Sequence, residues 1–115
     1  LSKNKKIKLL YPFKKGSLNY RLWKKYYNGA SGLMGLRIKS SKKKVIKFVN
    51  SLKLFGYGYS WGGFESLALH QEIREQGDRS YLNLPKDEHI VRLHIGLEDP
   101  KDLIEDLRRS LKFIK

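Results

Sequence analysis

A chain of 115 residues with 40% apolar content is one ordinary domain, long enough for a single core that buries roughly two-thirds of the unfolded surface. It has no cysteine, which excludes disulfides and thiolate metal sites and suits a reducing, cytoplasmic compartment; no apolar run nears the ~20 residues that span a bilayer, and the basic start lacks the apolar centre of a secretory signal. The formal charge of +14 is unevenly placed, with sixteen Lys/Arg and no acid in the first 53 residues, a split open either to a nucleic-acid or membrane-surface partner or to lysine-rich solvated helix faces.

Residues 1–12 carry Ile7, Leu9 and Leu10 before Pro12, and are expected to be the end of a helix that joins two domains. Gly16-Ser17 offers a turn and an N-cap, and Leu18, Leu22 and Tyr26 follow at helical spacing. A short amphipathic helix is predicted over 17–27, ended by Asn28-Gly29. Residues 30–39, ASGLMGLRIK, are bounded by turn residues and read as a strand. Val45, Phe48, Val49 and Leu52 then make one apolar stripe among lysines, which predicts a helix from about Ser41 to Leu54.

The next stretch, LFGYGYSWGGFE over 54–65, sets four glycines among aromatic rings and carries no charge before Glu65. Residues 57–60 and 64–69 are short strand candidates around Trp61-Gly62-Gly63, where glycine permits positive φ or a close approach to a ligand. Residues 70–86 are polar and read as a loop. Residues 90–97, IVRLHIGL, form the clearest strand: Val91, Leu93, Ile95 and Leu97 share one face, and Arg92, His94 and Gly96 the other. Asp99 then caps a helix with Pro100 at its first position and Asp102 in its first turn. Leu103, Ile104, Leu107, Leu111 and Ile114 make its apolar stripe, and Arg108, Arg109, Lys112 and Lys115 suit its C-terminal end. Short connections between neighbouring strands point to a largely antiparallel sheet with helices on one face. The fold class is α/β in the broad sense and α+β in the strict one.

Gly56-Tyr57-Gly58 with Gly62 misses the dinucleotide fingerprint, which follows a strand and opens a helix. His70, His89 and His94 are scattered, and His89 and His94 fall on opposite faces of one strand, so no metal site is expected. Arg92 is open to two readings. A strand arginine on a non-aliphatic face can be merely solvated, or paired with an acid such as Glu65. It can also grip a carboxylate bidentately, with Tyr59, Ser60 and Trp61 opposite it as an apolar wall with a hydroxyl.

The runs YSWGGFESL at 59–67 and IVRLHIGLEDPKDLIEDL at 90–107, with LWK at 22–24 and GASGL at 29–33, resemble the C-terminal domain of the pyridoxal-phosphate-dependent enzymes of cysteine and methionine metabolism. The Ser-Trp-Gly-Gly form is similar to the cystathionine β-lyase branch of that trans-sulfuration family. The resemblance implies that Arg92 binds the substrate α-carboxylate, that Ser60 and Trp61 line the same site, and that Tyr59 helps to shape its wall. It implies pyridoxal phosphate as the cofactor, a sulfur-containing amino acid as substrate, cleavage of cystathionine to homocysteine, pyruvate and ammonia, and a homo-oligomeric complete enzyme.

No stretch matches the family's cofactor-bearing lysine segment or its phosphate-binding loop. No catalytic or cofactor-binding residue is therefore assigned in residues 1–115, which are expected to be one small C-terminal domain whose large pyridoxal-phosphate-binding domain lies elsewhere. A fragment or split-gene product, inactive alone, is the leading expectation. A non-catalytic remnant acting as an interaction module, and a basic nucleic-acid-binding domain, are the alternatives.

Overall fold

The computed structural model describes residue 1, residues 4–73 and residues 84–115. Four strands and three helices follow in the order β1 (Ile7–Leu10), α1 (Tyr20–Tyr26), β2 (Leu33–Lys39), α2 (Lys42–Asn50), β3 (Leu67–Gln71), β4 (Glu88–His94) and α3 (Pro100–Ser110), and α3 runs into a 3-10 turn at Leu111–Ile114. The strands form one sheet in the order β1-β2-β4-β3, antiparallel at each pairing. This is the α+β arrangement expected, but not by way of short connections: β1 joins β2 through α1, β2 meets β4 across α2 and β3, and a long segment separates β3 from β4.

Alternation along the strands decides the two faces of the sheet. Leu36 and Ile38 of β2 stand opposite Val91 and His89 of β4, and Ile7 and Leu9 of β1 stand opposite Ile38 and Leu36. With Ala68, Leu93 and the helical residues Val45, Phe48, Val49, Leu103, Leu107 and Ile114, the apolar members of this face make one core. Both α2 and α3 therefore lie on one side. Gly35, Arg92 and Leu69, which are register neighbours across β2, β4 and β3, face the other.

α3 starts as its sequence dictates: the Asp99 carboxylate accepts the Lys101 amide at 2.7 Å and Pro100 needs no partner for its nitrogen. Asp106, two turns on, is buried and accepts the main-chain amides of Lys53 (2.9 and 3.1 Å) and Leu54 (2.8 Å), and it pairs with Arg109. A single carboxylate thus fixes the chain where it leaves α2.

Several boundaries differ from those expected. Residues 1–12 hold a strand and not the end of a helix: Ile7 is buried against Ile38 in an edge pairing, and the i, i+2 spacing of Ile7 and Leu9 serves the sheet. The helix predicted over 17–27 shortens to α1 and buries no residue. The Ser17 hydroxyl turns back to the Pro12 carbonyl (2.8 Å), and Leu18 is 98% exposed. Trp23 organises this region instead, edge-on to Phe13, and its indole N–H donates to Gly29 O at 2.8 Å.

α2 ends at Asn50, earlier than Leu54, and residues 57–60 are not a strand. Only Gly56 pairs there, in a parallel bridge to Leu67. β3 runs to Gln71, into the segment read as a loop, and residues 74–83 of that segment lie outside the described residues. β4 ends at His94 rather than Leu97, which is 85% exposed, and Ile104 of the predicted helical stripe is also exposed.

Candidate functional site

The segment between α2 and β3 has two parts with different physical logic. Up to Gly56 it is tied to the sheet edge: Gly56 N donates to Ser66 O and Ala68 N donates to Gly56 O, both at 2.9 Å. Beyond Gly56 it folds over β3 onto the sheet face opposite the helices. Gly62 makes the bend possible, with φ at +77°.

Two side chains of β4 hold this turn. Arg92 Nη2 donates to the carbonyls of Tyr59 (2.7 Å) and Ser60 (2.9 Å). Its guanidinium carbon stands 5.1 Å from the centre of the Trp61 ring, a cation–π arrangement. His94, two residues along on the same face, has Nε2 3.0 Å from Gly63 O. A carbonyl only accepts, so Nε2 carries the hydrogen. Tyr59, Ser60, Trp61 and Arg92, the four residues singled out from sequence, are thus gathered at one place. Their grouping is through main-chain carbonyls of the turn, while the rings of Tyr59 and Trp61 stay largely exposed, Trp61 at 68%.

The turn's return to the sheet is fastened by the β4–α3 corner. Ser66 donates its amide and its hydroxyl to the Glu98 carboxylate, each at 2.7 Å, and the Ser66 hydroxyl accepts the Gly96 amide at 2.8 Å. Leu97 N donates to Phe64 O at 2.8 Å. Burial pushes the Glu98 carboxyl up, but the Ser66 hydrogen bonds, the Glu98 amide and the nearby His94 outweigh it, so the group lies below its ordinary value. Gly96 has no room for a side chain: a β-carbon there would overlap the Phe64 carbonyl oxygen and stand 2.6 Å from the Glu65 carbonyl carbon.

His94, Ser66 and Glu98 were not singled out from sequence. The available signal for His94 was its place two residues from Arg92 on one strand face. Ser66 and Glu98 are polar residues at element ends, and nothing in their spacing pairs them.

On the helix side, β3–β4 pairing brings His70 Nε2 within 3.3 Å of His89 Nδ1, and Lys42 and His70 both meet Glu72 Oε1, at 2.7 and 3.2 Å. Two of the histidines read as scattered are therefore neighbours. Among the described residues no group of three His, Cys, Asp or Glu side chains could hold a metal ion. No helix among them is long and apolar enough to cross a membrane.

Among the described residues, the groups on the Arg92 guanidinium are the Trp61 ring and the main-chain carbonyls of Tyr59 and Ser60, with the His94 imidazole on Gly63 O nearby in the same turn. This set contains no primary amine for a carbonyl cofactor and no acid for a pyridine nitrogen, so it does not fit pyridoxal phosphate. It does fit an anion, since Nε and Nη1 of Arg92 have no acceptor among the described residues.

Comparison with known proteins gives a consistent result. Residues 1–112 match the Cys/Met metabolism PLP-dependent enzyme family. The chain is 39% identical over 108 residues to a putative cystathionine beta-lyase of Rhizobium johnstonii, covering 90% of this chain and 26% of that protein. It is 40% identical over 114 residues to an L-alanine/L-glutamate racemase of Wolbachia pipientis, covering 96% of this chain and 28% of that one. Its fold superimposes on cystathionine gamma synthase of Xanthomonas oryzae, solved in complex with cystathionine, with a TM-score of 0.82 at 24% identity over 99% of this chain and 30% of that one. The chain thus spans about a quarter of the length of the curated relatives it matches. It belongs to the family of pyridoxal-phosphate-dependent enzymes of cysteine and methionine metabolism.

Proposed function

We propose that residues 1–115 are the C-terminal, carboxylate-binding domain of a carbon–sulfur β-lyase that cleaves cystathionine to homocysteine, pyruvate and ammonia. The observation that carries the reading is Arg92, a guanidinium fixed through Nη2 by the Tyr59 and Ser60 carbonyls, whose Nη1 has no acceptor among the described residues and is left to an external one. A carboxylate is the amino-acid group that these donors suit, because charge-assisted bonds to guanidinium are strong and directional. Ser60 and Trp61 line the approach and Tyr59 shapes the wall behind it. Similarity to a putative β-lyase over 90% of the chain supports the choice of reaction.

Pyridoxal phosphate supplies the electron-accepting chemistry in such an enzyme. Since the donor set beside Arg92 does not fit it, the cofactor and its lysine belong to a large domain outside these residues. The exposed rings of Tyr57, Tyr59, Trp61 and Phe64 suit a face that such a domain covers. The protein is expected to act in the cytoplasm as a homo-oligomer.

A racemase reading is favoured by one observation, the 40% identity to the Wolbachia racemase, and the same arginine would serve it. Incubating the full-length protein with L-cystathionine and, separately, L-alanine separates the two: pyruvate and a free thiol mark the lyase, D-alanine the racemase. The carboxylate assignment is tested by Arg92→Ala. Loss of a hydrogen-bonded charge of about 1.5–3 kcal/mol lowers kcat/KM roughly 10- to 150-fold, and an unchanged value would sink it.

A further inference from the structure

The turn that faces Arg92 has two anchors, and the second is a residue with no assigned role. Arg92 ties the turn's beginning, at Tyr59 and Ser60. His94 ties its end, through the Nε2–H bond to Gly63 O. Between them the chain passes Gly62 at positive φ, and none of the described residues lies within 4 Å of the space a side chain would occupy at Gly62 or Gly63. Packing therefore does not hold this part of the turn.

The imidazole itself is oddly placed for a packing residue. It is 6% exposed, flanked in register by Leu33 and Leu67, and its Nδ1 is buried with no hydrogen-bond partner among the described residues. A leucine would fill that place without burying an unpaired nitrogen, which is unfavourable. Among the described residues, what the imidazole adds over a hydrocarbon is the bond to Gly63.

We propose that His94 is a positioning residue of the substrate site: it fixes the Gly63 end of the turn so that Trp61 and Ser60 stand in register with the Arg92 guanidinium. This rests on the carboxylate-binding reading. His94 touches neither the guanidinium nor the incoming carboxylate; it acts through the main chain of the turn. Without its bond the Trp61 ring loses its fixed station against the guanidinium, and the substrate must order the turn on binding. The effect then falls on substrate affinity, with little change in the chemical step.

The test compares His94→Gln, His94→Asn and His94→Leu in the full-length, cofactor-loaded protein. A glutamine amide reaches about as far as Nε2 and restores the donor; an asparagine amide matches Nδ1 and falls short; leucine has none. The expected result is a KM about 5- to 10-fold higher for Asn and Leu, as loss of one net hydrogen bond gives, with kcat within about twofold and Gln near the unsubstituted protein. Hydrogen exchange at the amides of residues 62–64 should quicken in Asn and Leu and not in Gln. That readout needs no substrate, so it stands even where Arg92→Ala leaves kcat/KM unchanged and the carboxylate reading fails. If exchange is the same in all three variants, or Gln behaves like Leu, the positioning role is overturned. Should His94→Leu fail to fold, the contrast between Gln and Asn, both polar, decides alone.

Discussion

Arg92 sits at a position where two neighbours make room for it. Gly35 lies opposite on β2 with no side chain, and Leu69 on β3 is buried beneath the turn. Among the described residues the guanidinium is therefore held by two acceptors, both main-chain carbonyls. Arg92→Lys is expected to recover little of the kcat/KM lost in Arg92→Ala. An ammonium keeps the charge but cannot hold two carbonyls and a carboxylate in one plane. Both variants should melt near the unsubstituted protein, because the turn they loosen is already solvated. Should Arg92→Ala instead lower the melting temperature and leave kcat/KM within a few-fold, the side chain is a clasp and no more. Gly96 gives the opposite kind of prediction. Gly96→Ala must displace the Phe64 carbonyl or the Glu65 main chain, and a forced fit of this sort costs about 1–3 kcal/mol. Urea denaturation of the pair measures it, and an alanine tolerated at no cost would mean that the β4–α3 corner is looser than its bonds imply.

At the level of elements, the connections carry more information than the helices. Asp106 joins α3 to the end of α2 by accepting the Lys53 and Leu54 amides. Asp106→Ala leaves these donors and the Arg109 charge without their acceptor. A loss of about 1–3 kcal/mol is expected, read as a lowered denaturation midpoint. The Ser66–Glu98 bracket predicts an acid effect. Its carboxyl lies below the ordinary 4.5 in the folded chain, so its contribution is fully present above that value and fades as pH falls through the lower, folded one. Melting temperature should therefore drop below about pH 4.5, and Glu98→Gln should flatten part of that slope. An identical slope in the variant would refute the assignment. The periodic elements were legible in the sequence because one face of each is buried: Val45, Phe48 and Val49 for α2, Leu103 and Leu107 for α3, Val91 and Leu93 for β4. β1 was not, since four residues with two inward positions are too few to tell period 2 from period 3.6 before the partner strand is known. Leu97 misled because alternation stops where Ser66 takes the Gly96 amide and turns the chain. The grouping of Arg92 with 59–61 was read from residue types and resemblance; that the turn's carbonyls make the contact could not be, since main-chain acceptors have no letter in a sequence.

Across the whole molecule the lopsided charge is partly folded away. All eleven acids lie after residue 53, yet antiparallel pairing of β2 with β4 sets Arg37 against Glu88 and Lys39 against Asp87 (3.6 Å), and Lys42 reaches Glu72 at 2.7 Å. Cations of the first half thus meet acids of the second, and one source of the asymmetry is a division of sign between strands that become neighbours. The net charge of +14 remains, and much of it sits on exposed lysines of α1 and α2 interleaved with apolar positions. Such a surface attracts phosphates by releasing counterions, without reading bases. Binding to two duplexes of unrelated sequence should therefore be equal at 50 mM salt and fall by roughly tenfold or more at 200 mM. Fluorescence anisotropy with labelled duplexes measures both quantities. Equal, salt-labile affinities leave the basic half as solvated surface around a carboxylate-binding domain. A preference for one sequence that persists at the higher salt would make that half a specific nucleic-acid interface, and would remove the ground for reading Arg92 and its turn as the molecule's principal site.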